Sequence, residues 1–195
     1  MLTQIWLLRH GETAWSLTGR HTGRTDLPLT ETGEQRAARL GGRLHAVAFA
    51  RVLTSPLQRA RQTCELAGFG RVAQVEPELH EWDYGDYEGL TTGQIHARRP
   101  GWNIFADGCP HGESAEQVAR RADRILALLR PMDGHVAVFS HGHFLRALAV
   151  RWVGLPIGDG RLFDLETGSV SILGYEHPGQ PGPVITRWNI GTPAG

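Results

Sequence analysis

Gln4-Ile5-Trp6-Leu7-Leu8-Arg9-His10-Gly11-Glu12 carries the reading that decides the fold. Its apolar residues are consecutive rather than alternating, which in a short run before a glycine marks a strand covered on both faces. Strands of that kind belong to parallel sheets wrapped by helices. Arg9 and His10 then fall where an open α/β sheet places its ligands, just beyond the carboxyl end of a strand.

Working outward, His135-Val136-Ala137-Val138-Phe139 repeats the pattern and runs into Ser140-His141-Gly142. Arg51-Val52-Leu53 is a shorter strand, and Arg71 to Val75 a weaker one. Between them Ala37, Leu40, Leu44 and Val47 recur at helical spacing, which predicts an amphipathic helix over Thr30 to Val47. A second helix is expected to open at Ser55, with Ser55 as N-cap, Pro56 at the first helical position and Gln58 closing a capping box. Val118, Ala122, Ile125, Leu126 and Leu129 predict a third from Glu113 to Leu129, and a fourth spans Gly142 to Trp152. Val170 to Leu173 and Val184 to Trp188 read as strands joined across Pro178 to Pro183, at a sheet edge suited to a homodimer.

Strands alternating with helices predict the α/β class: a three-layer α/β/α sandwich around a mainly parallel, mixed central sheet. Residues 1–195 are read as one domain. Glu76 to Gly112 lacks periodicity and carries Trp82, Tyr84, Tyr87, Trp102 and Phe105, so it is read as a lid-like insertion whose aromatics pack it down.

Across 195 residues, 41% hydrophobic and 21% charged with 25 glycines, the composition is that of a globular chain. Twenty Lys and Arg balance twenty Asp and Glu, so no overall field collects nucleic acid or an anionic membrane. Cys64 and Cys109 are too few for a disulfide framework, and Ile5 to Leu8 is too short for a signal or a membrane span. The expected location is the cytoplasm. His141-Gly142-His143 has no accompanying metal-binding motif, so neither a metal nor a cofactor is expected.

Three segments converge on one place. Arg9-His10 and Ser140-His141 follow strands, and Arg59 lies about one turn into the helix after Arg51-Leu53. Guanidinium groups bind phosphate oxygens in a fork and screen their charge. A neutral imidazole can then attack phosphorus, splitting hydrolysis into transfer to histidine and release to water. The departing alkoxide needs a proton, which calls for a protonated carboxylic acid in the site.

Leu8-Arg9-His10-Gly11-Glu12-Thr13 resembles the signature of the histidine phosphatase, or phosphoglycerate mutase-like, superfamily. Thr22-Gly23, Ser55-Pro56-Leu57-Gln58-Arg59-Ala60, Glu81 to Gly89, Gly112-Glu113-Ser114 and Ser140-His141-Gly142 follow in that family's order. The resemblance implies that His10 is phosphorylated, that Arg9, Arg59 and His141 surround the phosphate, and that Glu81 donates the proton. It also implies substrate contacts from Thr22, Gly23, Tyr84, Gly142 and His143. Ser16, counted with these substrate contacts, stands where the family usually has asparagine, and offers a shorter hydrogen-bonding group there. Glu88 and Glu113 are read as turn and cap carboxylates. His21, His45, His80, His96, His111, His135 and His177 are read as surface or packing residues.

The activity implied is metal-independent hydrolysis of a small phosphorylated metabolite. The motif stretch from Glu81 to Thr91 is most similar to a subgroup of acid phosphatases and a sedoheptulose-1,7-bisphosphatase, which makes a sugar phosphate the expected substrate. Phosphoglycerate mutase is the alternative, but its longer basic excursion is here reduced to Arg98-Arg99. A non-catalytic module that docks phosphorylated ligands is a third reading, and its mark, loss of a reacting group, is absent from the sequence. A protonated carboxyl and a neutral His10 in one enzyme form predict a bell-shaped rate profile with its maximum on the acidic side of neutral.

Overall fold

In β1 (Ile5–Arg9) the side chains of Ile5 and Leu7 go to one face and those of Trp6 and Leu8 to the other, and both faces are covered. That is why the run is apolar throughout. The computed structural model describes residues 4–177 and 180–191. β2 (Phe49–Thr54), β3 (Ala73–Val75), β4 (His135–Ser140), β5 (Val170–His177) and β6 (Gln180–Ile190) complete a six-stranded mixed sheet in the order β3-β2-β4-β1-β5-β6. β1, β2, β3 and β4 are mutually parallel, whereas β5 runs antiparallel to β1, and β6 antiparallel to β5. The join read at Pro178 to Pro183 lies partly outside the described residues.

One face carries α2 (Glu31–Leu44) and α3 (Gln58–Leu66), whose Leu40, Leu44 and Cys64 pack on Leu8, Val52 and Phe139. α6 (Ala115–Leu129) and α7 (Gly142–Trp152) cover the other, where Val118, Ile125, Leu145 and Leu148 meet Ile5, Leu7, Val136 and Val138. The result is an α/β/α sandwich. Truncating a fully buried core leucine such as Leu7 to alanine is expected to cost about 2–5 kcal/mol. α2 stops at Leu44 rather than Val47, and α6 is capped by Ser114 through a capping box with Gln117.

Residues 76–112 are not a bare loop. They hold 3₁₀ turns at Pro77–Leu79 and Gly85–Tyr87, then α4 (Thr92–Arg98) and α5 (Ile104–Asp107). Trp82, Tyr84, Trp102 and Phe105 are buried in the same core as α6 and α7, which fixes the insertion to the sandwich beside the strand ends. A further short helix, α1 (Ala14–Leu17), follows the His10 turn. Among the described residues no helix is long and apolar enough to cross a membrane.

Candidate active site

β1 and β4 are adjacent and in register at Arg9 and Ser140, so His10 and His141 emerge side by side with ring centroids 5.2 Å apart. Thr54 of β2 pairs with Phe139, which brings Ser55 to the same edge. His10 Nδ1 lies 2.7 Å from the Gly11 carbonyl. A carbonyl only accepts, so Nδ1 carries the ring proton and Nε2 keeps a lone pair. Burial, then the charges of Arg59 and Arg9, push the His10 imidazolium well below its ordinary range, against a smaller opposing pull from the Gly11 carbonyl. His10 is a neutral imidazole whose Nε2 carries a lone pair.

His141 is arranged the other way round. Arg59 Nε donates to its Nδ1 at 3.1 Å, and its Nε2 lies 2.7 Å from Ser55 Oγ. Burial and then the Arg59 charge hold this ring neutral also. Ser55 is therefore part of the site and not the N-cap of α3. That position falls to Leu57, with no side-chain cap, while Asp26 Oδ1 accepts from Gln58 N–H at 2.7 Å and supplies the missing acceptor from another loop. The capping box read at Ser55 and Gln58 does not form, because the Ser55 hydroxyl already meets Leu57 N–H and His141.

Arg59 is fully buried and ties the loop of Thr22 and Gly23 in place. Its Nη2 donates to the Thr22 and Gly23 carbonyls at 2.9 and 3.1 Å, and Nη1 to that of Thr25 at 3.1 Å. Glu88 holds the same loop by its amides, accepting from Gly23 and Thr25 N–H at 2.9 and 3.1 Å. Glu88 is thus a clamp on this loop, a role its neighbouring glycines did not reveal.

A cavity of about 170 Å³ opens against these groups, walled by Arg9, His10, Thr22, Glu81, Tyr84 and His143. Ser16, Gly19, Arg20 and His21 complete its rim. Among the described residues Arg59, Gly23, Gly142 and His141 do not line it; Arg59 acts on it through charge and through the loop. Arg9 Nη1 donates to the Leu165 carbonyl, and its Nε has no partner among the described residues. Gly142 lets that guanidinium lie flat on the start of α7, since a Cβ there would stand 3.1 Å from Arg9 Cζ.

Glu81 faces His10 across the cavity and caps α7 from outside. Its Oε1 accepts from the N–H groups of Trp82 and Phe144, both at 2.9 Å, and Oε2 from His143 N–H at 3.0 Å. Oε2 thus carries a single donor, and Oε1 two. Tyr84 hydroxyl lies 2.6 Å from His143 Nδ1. Burial raises the Tyr84 phenol well above its ordinary range and holds His143 well below its own, so both groups are neutral. The Ser16 hydroxyl closes the capping box of α1, donating to the Thr13 carbonyl at 3.0 Å and accepting from Thr13 N–H at 2.9 Å.

His21 was read as a surface or packing residue and is instead a wall of the site. It stacks on Tyr84 with centroids 4.8 Å apart, and burial lowers its imidazolium to about 4. With His143 it separates this cavity from a second, also about 170 Å³, that reaches His96, Trp102, Asn103 and Arg146. Its place directly before Thr22-Gly23 was the available signal. Arg146 Nε donates to the Gly160 carbonyl at 3.0 Å, and burial lowers the guanidinium below its ordinary range. Among the described residues no cluster of His, Cys, Asp or Glu has the makings of a metal site.

With two neutral imidazoles, a desolvated arginine and a carboxyl group around one small cavity at parallel strand ends, the chain belongs to the histidine phosphatase superfamily, branch 1, whose family model matches residues 5–191. An acid phosphatase of Mycobacterium tuberculosis is 48% identical over 178 residues, 89% of this chain and 87% of that one. Sedoheptulose 1,7-bisphosphatase of Saccharomyces cerevisiae is 37% identical over 77% of this chain and 68% of its own length. A functionally characterised open reading frame from Mycobacterium tuberculosis has a solved structure that superposes with a TM-score of 0.91 at 44% identity, covering 97% of this chain and 98% of that one.

Proposed function

We propose that this chain is a metal-independent phosphomonoesterase that passes the phosphoryl group of a small metabolite through His10. The observation that carries it is the bond from His10 Nδ1 to the Gly11 carbonyl, which leaves Nε2 unprotonated beside a cavity walled by Arg9 and Glu81. Nε2 attacks phosphorus while Arg9 takes up charge on the phosphate oxygens, and His141, whose Nε2–H donates to Ser55 Oγ, stands beside His10. The bond from phosphorus to the ester oxygen breaks, and Glu81 gives its proton to that oxygen. Glu81, now a carboxylate, takes a proton from water as water attacks the phosphohistidine, releasing inorganic phosphate and neutral His10.

A sugar phosphate is the substrate class we favour. The cavity lies below the roughly 300 Å³ at which sites for drug-sized ligands begin, and the second cavity behind His21 and His143 offers polar groups to the rest of a small polyol. The names of the acid phosphatase and bisphosphatase relatives agree with this reading. Chains named probable phosphoglycerate mutase share the family. The basic pair a mutase reading calls on is ill placed here: Arg99 pairs with Asp107 at 2.6 Å, and neither Arg98 nor Arg99 is among the residues lining either cavity. Cys64 and Cys109 are free thiols that burial raises to about 12, and two unpaired cysteines agree with a protein working in the cytoplasm.

The test is rapid acid-free quenching of the wild type and His10→Ala with a panel of sugar phosphates in the presence of EDTA. Phosphohistidine and phosphate release in the wild type, with both absent in the variant, support the proposal. Turnover that survives in His10→Ala, or that requires a divalent metal, overturns it. Binding without any phosphohistidine would mark a docking module instead.

A further inference from the structure

Glu81 reaches the cavity from a stretch, residues 78–83, that lies outside any strand or α-helix. Something else must fix it, and the group that does so is Arg121 of α6, 3% exposed. All five of its N–H donors are engaged. Nε and Nη2 grip the two carboxylate oxygens of Glu113 at 3.0 and 2.7 Å. Nη1 donates to the carbonyls of Glu78 and His80 at 2.8 and 2.7 Å, and Nη2 also to that of Glu81 at 3.4 Å.

Glu113 takes hold of the far side of the same stretch. Its Oε2 accepts from Asp83 N–H at 3.0 Å, and its carbonyl accepts from Trp82 Nε1 at 2.8 Å. The flat face of the Arg121 guanidinium lies 4.2 Å from the Phe144 ring centroid, and Phe144 supplies an N–H to Glu81 Oε1. The backbone on both sides of Glu81, and one donor to its carboxyl group, thus rest on one ion pair.

A buried ion pair is a poor choice if stability alone is needed, because apolar residues of the same volume often do as well. A planar fork with five fixed donors does what apolar residues cannot: it sets the angle and height of a backbone segment. Resting on the reading of Glu81 as proton donor, we propose that Arg121, oriented by Glu113, is the positioning residue that aims Glu81 at the leaving-group oxygen. It touches neither substrate nor phosphorus, and it acts through the Glu78 to Asp83 backbone and through Phe144.

The experiment compares kcat/KM for glycerol 2-phosphate, whose alkoxide must be protonated to leave, with that for p-nitrophenyl phosphate, whose aryl oxide leaves without help. kcat/KM reports the half-reaction up to loss of the leaving group, so water attack on phosphohistidine does not enter. Glu81→Gln sets the scale, with an alkyl-selective loss of about 10²–10⁴-fold. Arg121→Lys, with three donors in place of a planar five, should lose about 10²-fold on glycerol 2-phosphate through misplacement of the acid, and far less on the aryl ester. Glu113→Gln should repeat the pattern. The alkyl-to-aryl ratio is taken within one preparation, so partial unfolding does not alter it, and Glu113→Gln keeps the test open if Arg121→Lys fails to fold. Equal losses on both esters in these variants overturn the proposal and leave the pair a structural brace. No selectivity in Glu81→Gln itself overturns the proton-donor reading, and the proposal with it.

Discussion

Arg59 Nε donates to His141 Nδ1 at 3.1 Å, and that bond decides which nitrogen of His141 carries a proton. A guanidinium has no acceptor, so Nδ1 must accept and Nε2 must hold the hydrogen. His10 has the opposite assignment through the Gly11 carbonyl. Of two imidazoles 5.2 Å apart, one therefore keeps an Nε2 lone pair and the other an Nε2–H that donates to Ser55 Oγ. Two opposite tautomers arise from one residue type, separated only by what each Nδ1 meets.

Arg59→Met should remove this assignment together with a charge. We expect kcat/KM to fall about 10²-fold, because the His141 ring and the Thr22-Gly23 loop both lose the group that fixes them. The acid limb of its pH profile should move upward, because Arg59 is the larger of the two charges that disfavour the His10 imidazolium. Burial stays in place, so the limb moves only part of the way toward the ordinary value of 6.5. Arg59→Lys restores the charge and should return the limb while leaving the rate low. A limb that stays put in Arg59→Met would show that Arg59 does not tune His10.

Gly142→Ala separates activity from stability. Alanine is the better helix former by about 1 kcal/mol, so the start of α7 should melt no earlier than in the wild type. Its Cβ, however, would press on Arg9 Cζ and Nε at 3.1 and 3.2 Å. A guanidinium displaced by a few tenths of an ångström should raise KM about tenfold. Calorimetry beside steady-state kinetics checks this, and an unchanged KM would mean that Arg9 has slack to move.

Glu88→Gln tests the clamp on the Thr22-Gly23 loop. The carboxylate gathers the Gly23 and Thr25 amides, and a neutral amide accepts more weakly through only one oxygen. The expected cost is about 1–3 kcal/mol of stability, the range for hydrogen bonds to charged groups. KM should rise while the partition of products stays fixed. A melting temperature equal to that of the wild type would show the loop to be held by Arg59 alone.

These contacts also show where sequence reasoning stopped. Strand ends were legible because consecutive apolar residues before Arg9-His10 and Ser140-His141 have one economical explanation, a sheet covered on both faces. The helices followed from their stripes. What pairs across long separations was not legible: Ser55 looked like a helix cap because its local context matches one, yet His141, 86 residues away, competes for its hydroxyl. Arg121 had no local mark at all, since its partners lie 8 and about 40 residues away in the sequence. His21 was missed because a histidine in a loop reads as solvated until the insertion that buries it is in place.

His21 gives stability a pH dependence with a definite sign. In the unfolded chain its ring titrates near 6.5, whereas in the folded protein burial lowers it to about 4. Between those values the unfolded chain takes up a proton that the native state refuses, so native stability falls as pH falls through that window. The contribution is complete above 6.5, and below about 4 this group adds no further loss. His10, His141 and His143 are shifted in the same direction and steepen the slope. His21→Gln removes one titrating ring while keeping a polar side chain between the two cavities. Its melting temperature should therefore decline less steeply than that of the wild type over this range, and fewer protons should be taken up on unfolding. Parallel slopes for the two proteins would mean that His21 is already charged in the native state, and that the wall it forms with Tyr84 and His143 opens to solvent.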